Sequence, residues 1–172
     1  MKMAESTRVQ DQTTKAMTTI EGKYLVFSLA KEEYGIGILK VKEIIGMMPI
    51  TKVPRTPVFI KGVINLRGKV IPVIDLRLRF DMEEIAYTER TCIIVVEIAG
   101  QTGSILIGIV VDRVAEVTSI KGTDIVDAPQ FGSRLHTGYI RGMAKTNGGV
   151  KILLDIDKVF GDATISCFEG AA

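Results

Sequence analysis

The sequence predicts an all-β protein with short helical connectors, built as two small barrels packed together. Three observations carry this. About ten short runs rich in Val, Ile and other strand-formers alternate with turn residues. The stretch FIKGVINLRGKVIPVIDL, residues 59–76, is echoed by YIRGMAKTNGGVKILLDI, with Gly62, Gly68 and Asp75 matching Gly142, Gly148 and Asp155 at identical spacings. Finally, half of a 172-residue chain would bury only a marginal core, so two similar halves are expected to share apolar surface.

Taken in order, residues 1–20 are polar, mixed in charge and without an apolar signal core, and read as a flexible tail. Lys23 to Ala30 alternates as a strand, Lys31-Glu32-Glu33 turns it, and Tyr34 to Ile38 returns. Leu39 to Val41 reads as a helical turn before a strand through Ile44 and Ile45. Pro49, Pro54 and Pro57 then interrupt regular structure, and Thr56-Pro57 has the order of a helix cap, predicting a short helix that ends before Gly62. Two apolar β-branched arms follow, joined at Arg67-Gly68. Asp75 is placed to cap Leu76 to Phe80, and 81–90 is a polar connector.

The second half opens with a strand from Cys92 to Ile98, a turn over 99–103, a return from Ser104 to Ile109 and a further strand from Val114 to Ile120. Upstream of the repeated hairpins, Ile36-Gly37-Ile38 matches Ile107-Gly108-Ile109. Residues 121–138 read as irregular. The second hairpin, Gly142 to Leu154, carries an Asn147-Gly148 turn, and Asp155 caps a terminal helix running, with a break at Gly161, towards Phe168.

Composition excludes several function classes. The net charge of +2, the absence of Trp and the 6% aromatic content do not describe a basic, stacking surface for nucleic acid. The single histidine, His136, lies in a loop without a nucleophile motif, so no catalytic set is expected. Gly35-x-Gly37 lacks the third glycine of a dinucleotide loop. Asp155-x-Asp157 lacks the glycine and glutamate of a calcium loop. Cys92 and Cys167 are unpatterned, as in a reducing cytoplasm. Neither a cofactor nor a metal is expected.

A binding module remains. Two adjacent barrels leave a groove, and aliphatic grooves suit amphipathic helices. Val41, Ile44, Cys92 and Val117 are candidates for its lining, with ordinary core positions as the alternative. Arg67 stands at a turn where Asn or Asp is easier to accommodate; it is either a solvated turn residue or a long cation presented to a partner. A Glu43–Arg67 pair would hold that turn in place.

The segments EYGIGILKVKEIIG, TPVFIKGVINLRGKVIPVIDLRLRF and GIVVDRVAEV resemble the CheW family of chemotaxis adaptors, over about Lys23 to Phe160. That resemblance implies two five-stranded, SH3-like β-barrels around a shared core, with a domain over 21–162. The first barrel would lie mainly in 23–81, the second mainly in 91–155, and a helical tail over 163–172. It also implies a cytoplasmic, non-enzymatic scaffold that couples transmembrane chemoreceptors to the histidine kinase CheA. Carried over to matching positions, Val41, Glu43, Ile44, Gly62, Arg67, Cys92 and Val117 fall on or beside the receptor-binding groove. Cys92 departs from the aliphatic residue common there. A CheW-like domain of a larger signalling protein and a nucleic-acid-binding barrel are the alternatives.

Overall fold

A computed structural model of the chain describes residues 21–100, 103–127 and 138–160. The expected tail over 1–20, His136, Cys167, the continuation of the terminal helix past Gly161 and the helical tail over 163–172 lie outside the described residues. The strands are β1 (Gly22–Leu29), β2 (Glu32–Gly37), β3 (Val41–Gly46), β4 (Ile60–Leu66), β5 (Lys69–Asp75), β6 (Cys92–Ala99), β7 (Ser104–Val111), β8 (Arg113–Ile120), β9 (Ile125–Val126), β10 (Ile140–Thr146) and β11 (Gly149–Leu154). Two four-residue helices, α1 (Leu76–Arg79) and α2 (Ile156–Val159), follow the two hairpins. The all-β class with short helices is as the sequence predicts.

How the strands are shared out is not. One sheet runs β3-β6-β7-β5-β4 and the other β8-β1-β2-β11-β10-β9. The division into a first unit over 23–81 and a second over 91–155 is therefore corrected: each half lends its leading hairpin to the other half's sheet. The β6–β7 hairpin sits between β3 and β5, and the β1–β2 hairpin between β8 and β11. The exchange is symmetrical down to its registers. β7 joins β5 in parallel with Gly108 opposite Val73, and β2 joins β11 in parallel with Gly35 opposite Leu153. Val73 and Leu153 each precede the capping Asp by two positions, so Gly35, not Gly37, is the counterpart of Gly108. The physical reason is close packing: a Cβ on Gly108 would meet Ile93 at 2.8 Å, and one on Gly35 would meet Leu153 at 3.1 Å.

Both faces of the sheets are buried in layers. Ile64, Ile71, Val73, Ile93, Val95 and Val110 form a core private to the five-stranded sheet, and Tyr24, Ile120, Ala144 and Leu153 a smaller one for the other. The opposite faces, through Leu25, Phe27, Ile36, Ile74, Ile94, Ile109, Leu154 and Ile156 among others, meet in one shared core. This explains why β6 reads as an unbroken apolar run, and why β1, expected to alternate, is instead buried on both faces from Tyr24 to Phe27.

The far ends of each sheet are tied by short contacts. In one, Thr51 pairs with Val63 of β4; in the other, β9 pairs with Met143 and Ala144 of β10. β9 lies in the stretch expected to be irregular, where two residues are too few to leave a periodic signal. The short helix expected from Thr56 is absent: Thr56 Oγ1 instead donates to the Val53 carbonyl at 2.9 Å, and β4 begins at Ile60, leaving no room for a full turn.

The two short helices bolt the halves together. Asp75, buried, caps α1 by accepting from the Arg77 and Leu78 N–H groups, and its other oxygen accepts from the Tyr87 hydroxyl at 3.0 Å. Arg77 Nε donates to Asp112 at 2.7 Å, and Asp112 also accepts from the Ala30 N–H of the β1–β2 turn at 2.8 Å. On the other side Asp157 of α2 accepts directly from the Ala99 N–H at 2.9 Å and pairs with Lys40 at 2.7 Å.

Candidate partner-binding groove

The candidate groove is framed by edge strands. β3 and β8 each pair with one neighbour, β3 with β6 and β8 with β1, so each leaves an edge outside the ladder. They are counterparts in the exchanged architecture. Val41 opposes Val96 and Ile44 opposes Ile94; Val114 opposes Phe27 and Val117 opposes Leu25. Both strands bulge one residue after the valine, skipping Lys42 and Ala115. Directly opposed residues share a sheet face. Ile94 and Leu25 belong to the shared core, so Ile44 and Val117 face the layer between the sheets. They stay 45% and 51% exposed there, whereas their neighbours in that layer are covered.

Val41 and Cys92 pack partly buried against the shared core and form the groove's inner wall rather than its open surface. Cys92 opens β6 opposite Gly46 of β3, and its sulfur takes a backbone hydrogen bond from Val114 of β8, which links β6 to β8 at one point. Burial raises its thiol pKa and that hydrogen bond only partly opposes the rise, so the side chain acts as a small apolar filler.

Glu43 points to the other face of β3 and reaches the β4–β5 turn. Arg67 Nη1 donates to Glu43 Oε2 at 2.9 Å, and Nη2 donates to Oε1. Hydrogen bonding to Arg67 lowers the Glu43 pKa and, reciprocally, raises that of Arg67. Arg67 takes φ +53° and Gly68 φ +88°, as a type I′ turn requires of both central residues. At the equivalent turn only Gly148 does so, at φ +99°, and Asn147, the residue better suited to it, does not. The strained position is held by the Glu43 fork and by Asn65 Oδ1, which accepts from the Gly68 N–H at 2.9 Å. The Arg67 side chain nevertheless remains 72% exposed.

Gly62 contributes backbone, not lining. At φ +141° it lets Thr51 approach so closely that a Cβ would lie 2.0 Å from the Thr51 carbonyl oxygen. The structure thus brings Val41, Glu43, Ile44, Arg67 and Cys92 together around β3, links Val117 through β8, and gives Gly62 the supporting position. Sequence reasoning missed Val114 and the equivalence of Ile44 with Val117. The signal was present in Val41-Lys-Glu-Ile44 against Val114-Ala-Glu-Val117.

The comparisons with known proteins agree with this architecture. The profile of the CheW-like domain matches residues 23–164. The chain belongs to the CheW family. It is 40% identical over 154 residues to the chemotaxis protein CheW of Klebsiella aerogenes, covering 90% of each chain. The chemotaxis protein CheW of Rhizobium meliloti is 31% identical over 146 residues, with 85% of this chain and 92% of that one covered. The crystal structure of the scaffolding protein TtCheW from Thermoanaerobacter tengcongensis superimposes with a TM-score of 0.73 at 40% identity, over 84% of this chain and 95% of that one. CheW proteins are non-enzymatic scaffolds, and this chain is one of that family.

Proposed function

We propose that this chain is a chemotaxis coupling adaptor, working in the cytoplasm at membrane-associated receptor arrays, that joins chemoreceptors to the histidine kinase CheA. The observation that carries the reading is the exposure of Ile44 and Val117 on two counterpart edge strands, together with an arginine held outward at a strained turn across the other face of β3. Two aliphatic rows facing a common layer fit the apolar stripe of a helix, and the receptor's cytoplasmic tip is a helical hairpin in the picture that the resemblance implies. Arg67 supplies an oriented polar contact. No helix among the described residues is long and apolar enough to cross a membrane, so recruitment to the array runs through the partners.

The test is a pull-down of a receptor cytoplasmic fragment and CheA with the wild-type chain and with Arg67→Glu. The variant is expected to keep its circular dichroism spectrum and its capture of CheA while losing the receptor fragment. Unchanged receptor capture by a folded Arg67→Glu protein would overturn the assignment of the groove.

A further inference from the structure

A second site lies where α1 and α2 come together, and it shares no residue with the groove. A pocket of ≈ 590 Å³ is lined by Arg79, Gly138, Tyr139 and Lys158. Arg79 closes α1 and Lys158 lies in α2, so one cation comes from each half of the molecule. Phe59 and Tyr139 hold matching places ahead of the two hairpins. The Arg79 guanidinium lies 5.4 Å from the Phe59 ring centre, and Tyr139 stacks on Phe80 with ring centres 5.0 Å apart.

The cations at this pocket differ from the paired cations of the molecule. Arg67 and Arg77 are both satisfied by carboxylates, and Lys40, Lys42, Lys61 and Lys151 have acidic partners. Arg79 has no carboxylate or carbonyl acceptor among the described residues, and its Nε is shut off from solvent without a hydrogen-bond partner. A guanidinium held over an aromatic ring is oriented in advance of any acceptor. Lys158 is exposed at the pocket and likewise has no carboxylate partner among the described residues.

From this geometry we infer that the pocket is a binding site for a small organic oxyanion, a phosphate monoester or a carboxylate with a compact apolar body. Two oxygens on one centre match the two terminal nitrogens of the guanidinium fork end-on, Nε itself being closed to a solute. Lys158 adds a point charge, and the Tyr139 ring offers an apolar wall beside it.

The experiment is a nitrogen-15 NMR titration of the full chain at low ionic strength with phenyl phosphate, benzoate and, as an uncharged control, benzyl alcohol. At least one anion is expected to shift the Gly138, Tyr139 and Lys158 amides saturably, while the alcohol does not. A response to phenyl phosphate alone assigns a phosphate ester, and a response to benzoate alone a carboxylate. Arg79→Gln is expected to weaken binding about tenfold, the size of one lost charge-assisted hydrogen bond. Lys158→Gln, at an exposed position that leaves packing intact, is expected to weaken it about threefold. No shift with either anion, equal shifts with benzyl alcohol, or affinity unchanged in Lys158→Gln or in a folded Arg79→Gln would overturn the site.

Discussion

Arg67 and Glu43 join the two outermost strands of one sheet: β3 and β4 stand at opposite ends of the order β3-β6-β7-β5-β4, and the two-pronged ion pair spans the gap between them. The pair is solvent-facing, so its worth lies in orientation more than in stability. Charge exchange separates these. Glu43→Arg and Arg67→Glu singly are expected to lose receptor-fragment capture with a melting temperature close to wild type. The double exchange restores the pair but presents an acid outward, so it is expected to regain turn order by NMR without regaining capture. Recovery of capture would show that the bridge alone matters. The sign with pH follows from the lowered Glu43 pKa: the contribution is present above the ordinary carboxylate range and is lost as pH falls through the folded value.

Gly62→Ala is expected to be severe. The new Cβ falls on the Thr51 carbonyl, the residue sits at φ +141°, and the Thr51–Val63 contact closing the sheet must open. A loss of about 3 kcal/mol is expected from urea denaturation. Its counterpart Gly142→Ala meets Ile125 at 3.0 Å and the Val126 carbonyl at 3.1 Å, without the positive φ, and is expected to cost about half as much. Equal losses would contradict this difference between the two halves.

Asp75 serves as helix cap and as acceptor for Tyr87. Asp75→Ala is expected to cost about 2 kcal/mol, and Tyr87→Phe about 1 kcal/mol, with the double mutant well short of their sum. Burial, reinforced by the Asp75 charge, raises the Tyr87 pKa above the usual phenol range. A raised pKa gives stability that is complete below the ordinary phenol value near 10 and is lost as pH climbs towards the folded value. Stability measured from pH 9 to 11 is therefore expected to fall less steeply in Tyr87→Phe. Tyr24 and Tyr34, also shifted upward by burial, keep part of the slope.

Cys92 is expected to resist thiol reagents at neutral pH, because burial raises its pKa and the shared core covers it in part. In a Cys167→Ser background, labelling is expected to be slow in native buffer, faster as pH rises, and complete within minutes in denaturant. Rapid native labelling at pH 7 would place Cys92 in the open groove instead.

Much of this was legible in the residues. Spaced glycines and capping aspartates revealed the repeat because these positions answer to local backbone demands, which sequence records directly. The Glu43–Arg67 pair was legible because a turn arginine between apolar arms needs a holder. Strand partnership was not. Which hairpin fills the middle of which sheet is decided by contacts distant along the chain, and β1 and β6, buried on both faces, carry the same apolar pattern in either arrangement. The Thr56 reading failed for a related reason: cap-then-proline order marks a helix start only where enough chain remains to complete a turn, and three residues separate Thr56 from Ile60.

The exchange of leading hairpins has a consequence for severing the chain. Cut in the 81–90 connector, the protein yields one piece with β1 to β5 and another with β6 to β11, and each piece owns only the outer strands of its sheet. Neither fragment can assemble a continuous ladder by itself, yet together they possess every contact of the intact molecule except one covalent link. Fragment complementation should therefore be all-or-none: two insoluble or unstructured peptides apart, and a folded, non-covalent heterodimer when mixed during refolding.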